Sequence, residues 1–583
     1  MIEFFNPNFD LNMDALLQGM WYSELPELVD VKVIYKNLET VLHNMQQGKY
    51  DYYKLEQDGF IKDFKGINSP SYLRKPGVEA ITYYVFKKNK SLREMQLVNL
   101  IHYCAFIYNS LYVFEDIFAQ LYMNEDNLEY IGNSNSYVVV NESFCVGAQY
   151  DSEEVEEGIF TNENNKVTRW MRMEDAKRRI QSYQRSKLYF IKLDIESFFP
   201  NLYTHYLARI GKCEPYKSLG VSQRYYDFLD KFHQRVNDNQ TKGVPAGNFS
   251  SHIGAELLML CVDYDIREVI GQRKIGYIRY VDDMTFYSDD QQELEDMTVQ
   301  VQKILTKYRL RINGNKVERG KTTRSKGFHI SKTEIYEKFS YLDDSDDTIE
   351  LKYEHFLDLK NYISDLLDKE RIGQIKTILT RFLKRLELEK IQLAGEDSWF
   401  YYFQALVFDE ESLSFHIYKI LNKILKTSKN KEVLLQELKE KREFVDTHYS
   451  DTLIQIWHYY VMTENMNELD KLQLFQTYVR NIDFANANPI IICHFVDEGK
   501  EKNKKVWKYI CDGYRNQTEE TDWKSKIMFS KWWLPIFKIK MVDDYNYDRF
   551  LKSSLFPKVL ADLSIPKKEE KDGVFYMGEW HPF

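Results

Sequence analysis

The hydrophobic pattern divides this chain in two. Up to about residue 345, short apolar runs with strand character alternate with helix-like stretches. Leu188-Tyr189-Phe190-Ile191-Lys192-Leu193 predicts an apolar strand that delivers Asp194 at its end, followed closely by Phe198-Phe199. Lys274 to Tyr287 holds two aromatic-rich, β-prone runs around Val281-Asp282-Asp283, a pattern of strand, tight turn, strand. Between them, Thr241-Lys242-Gly243-Val244-Pro245-Ala246-Gly247-Asn248 leads into a helical run through Glu256 and Leu257. Gly243, Pro245 and Gly247 force a tight backbone path that lets main chain approach a planar or phosphorylated ligand. From about Glu354 the period turns almost wholly helical. In 356–363, 375–383 and 417–425 apolar residues recur three and four apart, one buried stripe per helix. The Asp-rich stretch Tyr341–Thr348 makes the boundary. No clean repeat is visible, but successive helix pairs are of a kind that stacks as a loose solenoid. The expectation is α/β plus all-α: a mixed part over 1–345 and an α-helical part over 346–583.

The chemistry is concentrated in the acids. Adjacent carboxylates such as Asp282 and Asp283 repel, and burial makes that worse. A hard divalent cation, Mg²⁺ or Mn²⁺, offsets the charge and selects oxygen ligands. The plain alternatives are a solvated hairpin turn, since Asp bonds its own local backbone, and for Asp194 a helix N-cap.

Taken in order with Leu310-Arg311-Ile312-Asn313-Gly314-Asn315-Lys316, these segments resemble the palm signature of reverse transcriptases over roughly residues 80–330. The resemblance implies a right-hand polymerase with fingers and palm. Asp194, Asp282 and Asp283 would be its catalytic acids. Those three side chains, with the backbone carbonyl of Ile195, would be its metal ligands. Two metal ions in such a site stabilise the attacking and leaving oxygens of an in-line displacement at phosphorus. Protein groups then act mainly by positioning and neutralising charge. Phe199 takes the position of the ring that screens the sugar 2′ carbon and favours deoxynucleotides, with core packing as its ordinary alternative. Gly247 would lie under the incoming nucleotide, and Lys316 near the leaving pyrophosphate. Arg93, in Ser91–Asn99, is the triphosphate candidate, although the basic, proline-containing pattern of the family is degraded there; a solvated helix face is its alternative.

Composition narrows this picture. The length of 583 residues suggests two or more domains, and 44% hydrophobic content is ample for their cores. The 6 cysteines, including Cys104 and Cys145, show no Cys-x-x-Cys pairing, which argues against a zinc site and for a reducing, cytoplasmic setting. The opening Met1-Ile2-Glu3-Phe4-Phe5 lacks the basic start of a signal peptide, and no apolar segment suits a membrane span. The net charge of −10 disfavours extensive nonspecific binding to a long template, since phosphate neutralisation supplies most of such affinity. The acidic run at 151–157 reads as a solvated loop.

The Val-Thr-Gly element of retron enzymes is absent, and the extension lacks the basic character of group II intron maturases. A long, helical, non-basic extension is similar instead to the bacterial abortive-infection reverse transcriptases of the AbiK and AbiA type. That resemblance implies antiphage defence in the bacterial cytoplasm by a homo-oligomer. It also implies untemplated DNA synthesis from dNTPs, primed by a tyrosine hydroxyl, so that the DNA stays covalently attached to the protein. Tyr22, Tyr35, Tyr50, Tyr52 and Tyr53 are among 43 tyrosines, and none is singled out as the primer. Two other readings stand beside it. One is a conventional RNA-templated reverse transcriptase. The other is a catalytically dispensable scaffold or toxin with a C-terminal ribonuclease-like domain, for which Arg442 and His448 have the spacing of a cation and a general acid or base, with an exposed helix face as their ordinary alternative.

Overall fold

A computed structural model of the chain describes residues 77–88, 90–100, 173–220, 223–324, 338–342, 348–497, 499–518 and 523–542, with short pieces at 20, 22, 24–29, 34, 37, 102–103, 106–107, 138–139, 159–161 and 167–169. The acidic run at 151–157, Met1–Phe5, Cys104, Cys145, Tyr35, Tyr50, Tyr52 and Tyr53 lie outside the described residues, as does 343–347 of the expected boundary.

Eleven strands occur among the described residues: β1 (Ile81–Phe86), β2 (Leu92–Leu97), β3 (Val138–Val139), β4 (Ile159–Thr161), β5 (Val167–Arg169), β6 (Tyr189–Asp194), β7 (Gly276–Tyr280), β8 (Asp283–Ser288), β9 (Glu318–Lys321), β10 (Ile349–Leu351) and β11 (Ile391–Leu393). Five of them form the central sheet in the order β3-β7-β8-β6-β9, with β6, β7, β8 and β9 antiparallel to their neighbours and β3 parallel to β7. The expected strand into Asp194 is β6, and the expected strand-turn-strand is β7 and β8.

Both faces of this sheet are covered, and the pleat sorts the side chains. On one face Tyr277, Arg279, Met284 and Phe286 are buried toward α4 (Phe249–Ile270) and α5 (Gln291–Lys307). On the other, Ile278 and Tyr287 pack with Ile180, Tyr183 and Phe190, and Tyr183 of α1 (Met173–Ser186) stacks on Tyr287 at 5.2 Å. A Cβ at Gly276 would fall 2.5 Å from the Tyr183 ring, so the absence of a side chain there lets α1 approach β7. Two smaller helices, α2 (Thr204–Arg209) and α3 (Gln223–Arg235), pack on each other beside α4.

Beyond residue 352 the predicted stripes are helices: α6 (Tyr353–Asp368), α7 (Ile372–Glu387), α8 (Glu396–Asp409), α9 (Ser414–Thr427), α10 (Lys431–His448), α11 (Leu453–Asn465), α12 (Glu468–Asn481), α13 (Pro489–His494), α14 (Lys500–Gln517) and α15 (Trp533–Val542). Helix α9 packs against α7, α8 and α11, and α11 in turn against α10 and α13. One departure from an all-helical pattern is the short parallel pair β10–β11, which bridges the start of α6 to the end of α7. These three-residue strands are too short to show a period of two, which is why the sequence pattern passed over them.

The β1–β2 hairpin ties the two halves together. Gln96 N–H donates to the Ala246 carbonyl at 3.0 Å, on the loop that leads into α4. Tyr84 N–H donates to the Asp451 carbonyl at 2.8 Å, and the Phe86 ring meets Tyr449 at 5.8 Å. Flanking the hairpin, Glu79 N–H donates to Phe529 O at 2.9 Å and Asn99 Nδ2 to Met528 O at 2.8 Å. Lys88 and Lys90 near its tip pair with Glu370 at 3.6 Å and Glu411 at 3.8 Å. Among the described residues no helix is long and apolar enough to cross a membrane.

Candidate active site

Strand pairing brings the acids together. Asp194, the last residue of β6, stands directly opposite Asp283, the first residue of β8. Asp282 occupies the turn between β7 and β8. Burial, and then repulsion from Asp283 and Asp194, pushes the Asp282 carboxyl up to about 6, partly offset by its own backbone and by Lys316. Two causes of opposite origin thus act in one direction: a carboxylate short of solvent, facing two others.

The Leu310–Lys316 segment closes over the first acid. Ile312 forms an isolated antiparallel bridge with Ile195. Asn313 N–H donates to the Asp194 carbonyl at 2.8 Å and Glu196 N–H to the Arg311 carbonyl at 2.9 Å. These bonds use the Asp194 carbonyl and the Glu196 amide, not the carbonyl of Ile195. Asn313 Nδ2 donates to Asp194 Oδ1 at 3.2 Å, and Lys316 Nζ to Asp194 Oδ2 at 2.9 Å. Lys192 Nζ pairs with Asp283 Oδ2 at 3.0 Å. Two lysine ammonium groups therefore balance three converging carboxylates.

This donor set fits a divalent cation: carboxylate oxygens suit a hard ion, and a cation would relieve the burial and the repulsion from Asp283 and Asp194 that disfavour charge on Asp282. Among the described residues no group of three His, Cys, Asp or Glu side chains is already drawn into a cage. Asp194 and Asp283 each turn an oxygen toward a lysine ammonium.

The nucleotide candidates surround the acids. Ser197 adopts a left-handed backbone, φ 46°, and starts the one-turn helix Phe198–Asn201. The half-buried Phe199 ring meets His252 edge-on at 5.0 Å, and its carbonyl accepts from Val244 N–H at 3.1 Å. The glycine loop is thus stitched to the turn after Asp194. Gly247 has φ +94°, and a Cβ there would run into Met95 Cε of β2. Asn248 caps α4: its side chain accepts from Ser251 N–H at 3.0 Å, while its Nδ2 donates to Pro245 O at 2.7 Å. Arg93 is exposed on strand β2, which replaces the helix face of the alternative reading. Extended backbone suits it because 92–97 pair residue for residue with 81–86.

Other residues, to which the sequence assigned no role, join the site. Lys87, at the end of β1, has its ammonium pKa lowered by loss of solvent and by Arg93 and Lys316, and raised by Asp194. It therefore shares their field, and the basic tip of the hairpin was its available signal. His252, one helical turn beyond Asn248, lies where burial and then Arg93 press its imidazole down to about 4. Lys192 could have been found from the alternation of β6, because it is the residue two before Asp194 and so projects to the same side. Against a chain charge of −10, Lys87, Arg93, Lys192 and Lys316 make a local basic rim around the acids.

Arg442 and His448 have different partners. Arg442 Nε is 3.9 Å from Asp446, whereas His448 Nδ1 is 3.0 Å from the Phe444 carbonyl and its ring lies on Phe444 at 4.5 Å. Tyr22 packs near Tyr83 at 6.5 Å, and burial, then Glu24, raise its hydroxyl pKa while Arg93 lowers it.

Residues 150–342 match the family described as "Reverse transcriptase (RNA-dependent DNA polymerase)". A comparison with curated proteins found no match. Among solved structures, the chain is similar to telomerase from Candida albicans in complex with a fragment of telomeric RNA, at 11% identity and a TM-score of 0.27, over 68% of this chain and 66% of that one. It is also similar to apo telomerase from Candida tropicalis, at 10% identity and a TM-score of 0.31, over 72% of this chain and 73% of that one. The chain thus spans just under two thirds of the first of these telomerase chains. The family match spans Asp194, Asp282, Asp283 and Lys316, so the chain carries a reverse transcriptase domain.

Proposed function

We propose that this protein synthesises DNA at the site formed by Asp194, Asp282 and Asp283, without a template and from a tyrosine of its own, in antiphage abortive infection. The observation that carries the catalytic part is the register of β6 on β8, which sets Asp194 opposite Asp283 with Asp282 at the adjoining turn. Mg²⁺ or Mn²⁺ bound by these carboxylates and the Ile195 carbonyl would neutralise the attacking and leaving oxygens of the displacement. The protein's own groups do the rest. Lys316, Lys87 and Arg93 take the triphosphate, the Gly247 loop supports the nucleotide, and Phe199 stands at the sugar edge. The acidic balance of the chain supports a product tethered to the protein over a long duplex held by charge. The Abi-type resemblance supplies the defence role and the homo-oligomer.

Purified full-length protein incubated with Mn²⁺ or Mg²⁺ and each labelled dNTP, without template or primer, tests this reading. Label that stays with the protein on a denaturing gel, and maps to a tyrosine, is expected. Strict dependence on added RNA template would replace it with a conventional reverse transcriptase. Phage protection that survives Asp282→Ala would replace it with a scaffold.

A further inference from the structure

Arg279 lies immediately before Tyr280 in β7 and is completely buried, at 0% exposure. Its guanidinium has five N–H groups, and all five are engaged. Nε donates to Asp263, with both carboxylate oxygens at 3.0 Å. Nη2 donates to Asp263 Oδ2 at 2.7 Å and to Glu256 Oε1 at 3.1 Å. Nη1 donates to Glu256 Oε2 at 2.9 Å, and its second N–H reaches the Val281 carbonyl at 2.8 Å. The Tyr277 hydroxyl completes the cluster by donating to Asp263 Oδ1 at 2.7 Å.

Two features set this apart from an ordinary buried ion pair. First, a buried charge cluster is a poor source of stability, because desolvation offsets the attraction and an apolar core of the same volume folds as well. Second, the bond to Val281 ends on a strained residue. Val281 has φ +55°, a left-handed conformation that a β-branched residue adopts only when its surroundings impose it. The next residue is Asp282. Both carboxylates that grip Arg279 come from α4, whose N-terminus is the Gly243–Asn248 loop.

We infer that Arg279 is a positioning residue: held by Glu256 and Asp263 of α4, it fixes the Val281 carbonyl and so the turn that sets Asp282 beside Asp194 and Asp283. This rests on the reading of those acids given above. The clamp also couples the two halves of the site, because the helix that leaves the nucleotide loop is the same one that grips the acid turn. Lysine cannot replace it, since a point charge with three donors does not span two carboxylates and a carbonyl.

The test compares full-length Arg279→Lys and Glu256→Gln with wild type by three readouts: thermal melting, Mn²⁺ affinity from the free-ion EPR signal, and the kinetics of dNTP incorporation. For Arg279→Lys, kcat is expected to fall about 10- to 100-fold and Mn²⁺ affinity by about tenfold, the scale for residues that orient metal ligands. The KM for dNTP should stay within about threefold, because the nucleotide contacts are untouched. Glu256→Gln should move the same quantities in the same direction by less. A melting shift alone, with Mn²⁺ affinity and kcat per folded molecule as in wild type, overturns the inference. If Arg279→Lys does not fold, unchanged Mn²⁺ affinity and kcat in Glu256→Gln overturn it equally. Wild-type protein that incorporates no nucleotide refutes the catalytic reading instead, while the Mn²⁺ measurement still reports on the clamp.

Discussion

At the scale of single residues, Asp282 is the position where stability and function oppose each other. Its carboxyl is pushed up to about 6 first by burial and then by Asp283 and Asp194, so the folded protein pays for keeping it charged. Asp282→Asn should therefore leave the melting temperature unchanged or raise it, while nucleotide incorporation falls about 10³-fold, the loss typical of removing one preorganised electrostatic group. A variant that melts lower and keeps its activity would show the acid to be structural. Phe199 supports a second experiment. Its ring is braced by His252 at 5.0 Å, and its backbone is fixed by Val244, so shortening the side chain opens space without releasing the turn. Phe199→Val is expected to improve the kcat/KM for ribonucleotides relative to deoxynucleotides by at least about tenfold. An unaltered ratio, measured with both sugars under the same conditions, would return Phe199 to the core.

At the scale of elements, the β1–β2 hairpin is the part whose position matters most. It touches the glycine loop through Gln96 and Met95, and the helical half through Tyr84 and Phe86. Gly247 is where this packing is tightest. Its φ of +94° is costly for any other residue, and a methyl group would meet Met95 Cε. Gly247→Ala should cost about 1–3 kcal/mol and lower the melting temperature, chiefly through the positive φ, since the flexible end of Met95 can turn aside. Equal melting curves for the two proteins would mean that the loop yields without strain. The elements themselves were largely legible. Apolar and aromatic β-prone runs named β6, β7 and β8, and a 3.6-residue period named α6, α7 and α9, because each of these helices buries one face and leaves the other wet. The hairpin was not. Its strands carry exposed residues at Leu92, Arg93 and Glu94, so the pattern around Arg93 has no clean period and the pairing that makes it a strand is supplied by residues 81–86.

At the scale of the whole molecule, stability is linked to pH through histidines held neutral inside the fold. His458 Nε2 must donate to the Leu438 carbonyl at 3.0 Å, which leaves Nδ1 to accept from the Tyr418 hydroxyl at 3.2 Å. Burial, the larger effect, then holds His458 at about 4, although the Leu438 bond raises it. His416 is held at about 3 by burial and then by Lys376 and Lys419. Both lie below the unfolded value of about 6.5. As pH falls below that value the unfolded chain takes up protons that the folded chain refuses. The contribution of these residues is therefore complete above about pH 6.5 and is lost on descent toward pH 4 and below, by on the order of 3 kcal/mol for each. Melting temperature should fall steadily from pH 7 to pH 4, and His458→Gln should flatten that slope. A pH-independent melting temperature over this range would contradict the buried, neutral assignment.

What the sequence determined by itself were the local features whose cause is local. The Asp-Asp turn lies between two β-prone runs, the glycine loop runs into a helix, and the apolar stripes of the second half fix helices wherever they recur. What only the tertiary structure decided is which distant residues share one field. Lys316 reaches Asp194 across 122 positions of chain, and Lys187 meets Asp289 across 102. Lys87 feels Arg93, Lys316 and Asp194 together. Arg279 illustrates the divide most directly. In the sequence it is a charged residue within a strand, of no evident purpose. In the folded chain, burial leaves its five N–H groups no partner except those the fold brings to them, and one of those partners is the turn that carries Asp282. Charge pairing in a desolvated interior depends on register and helix docking over the full length of the chain, and neither can be read from spacing alone.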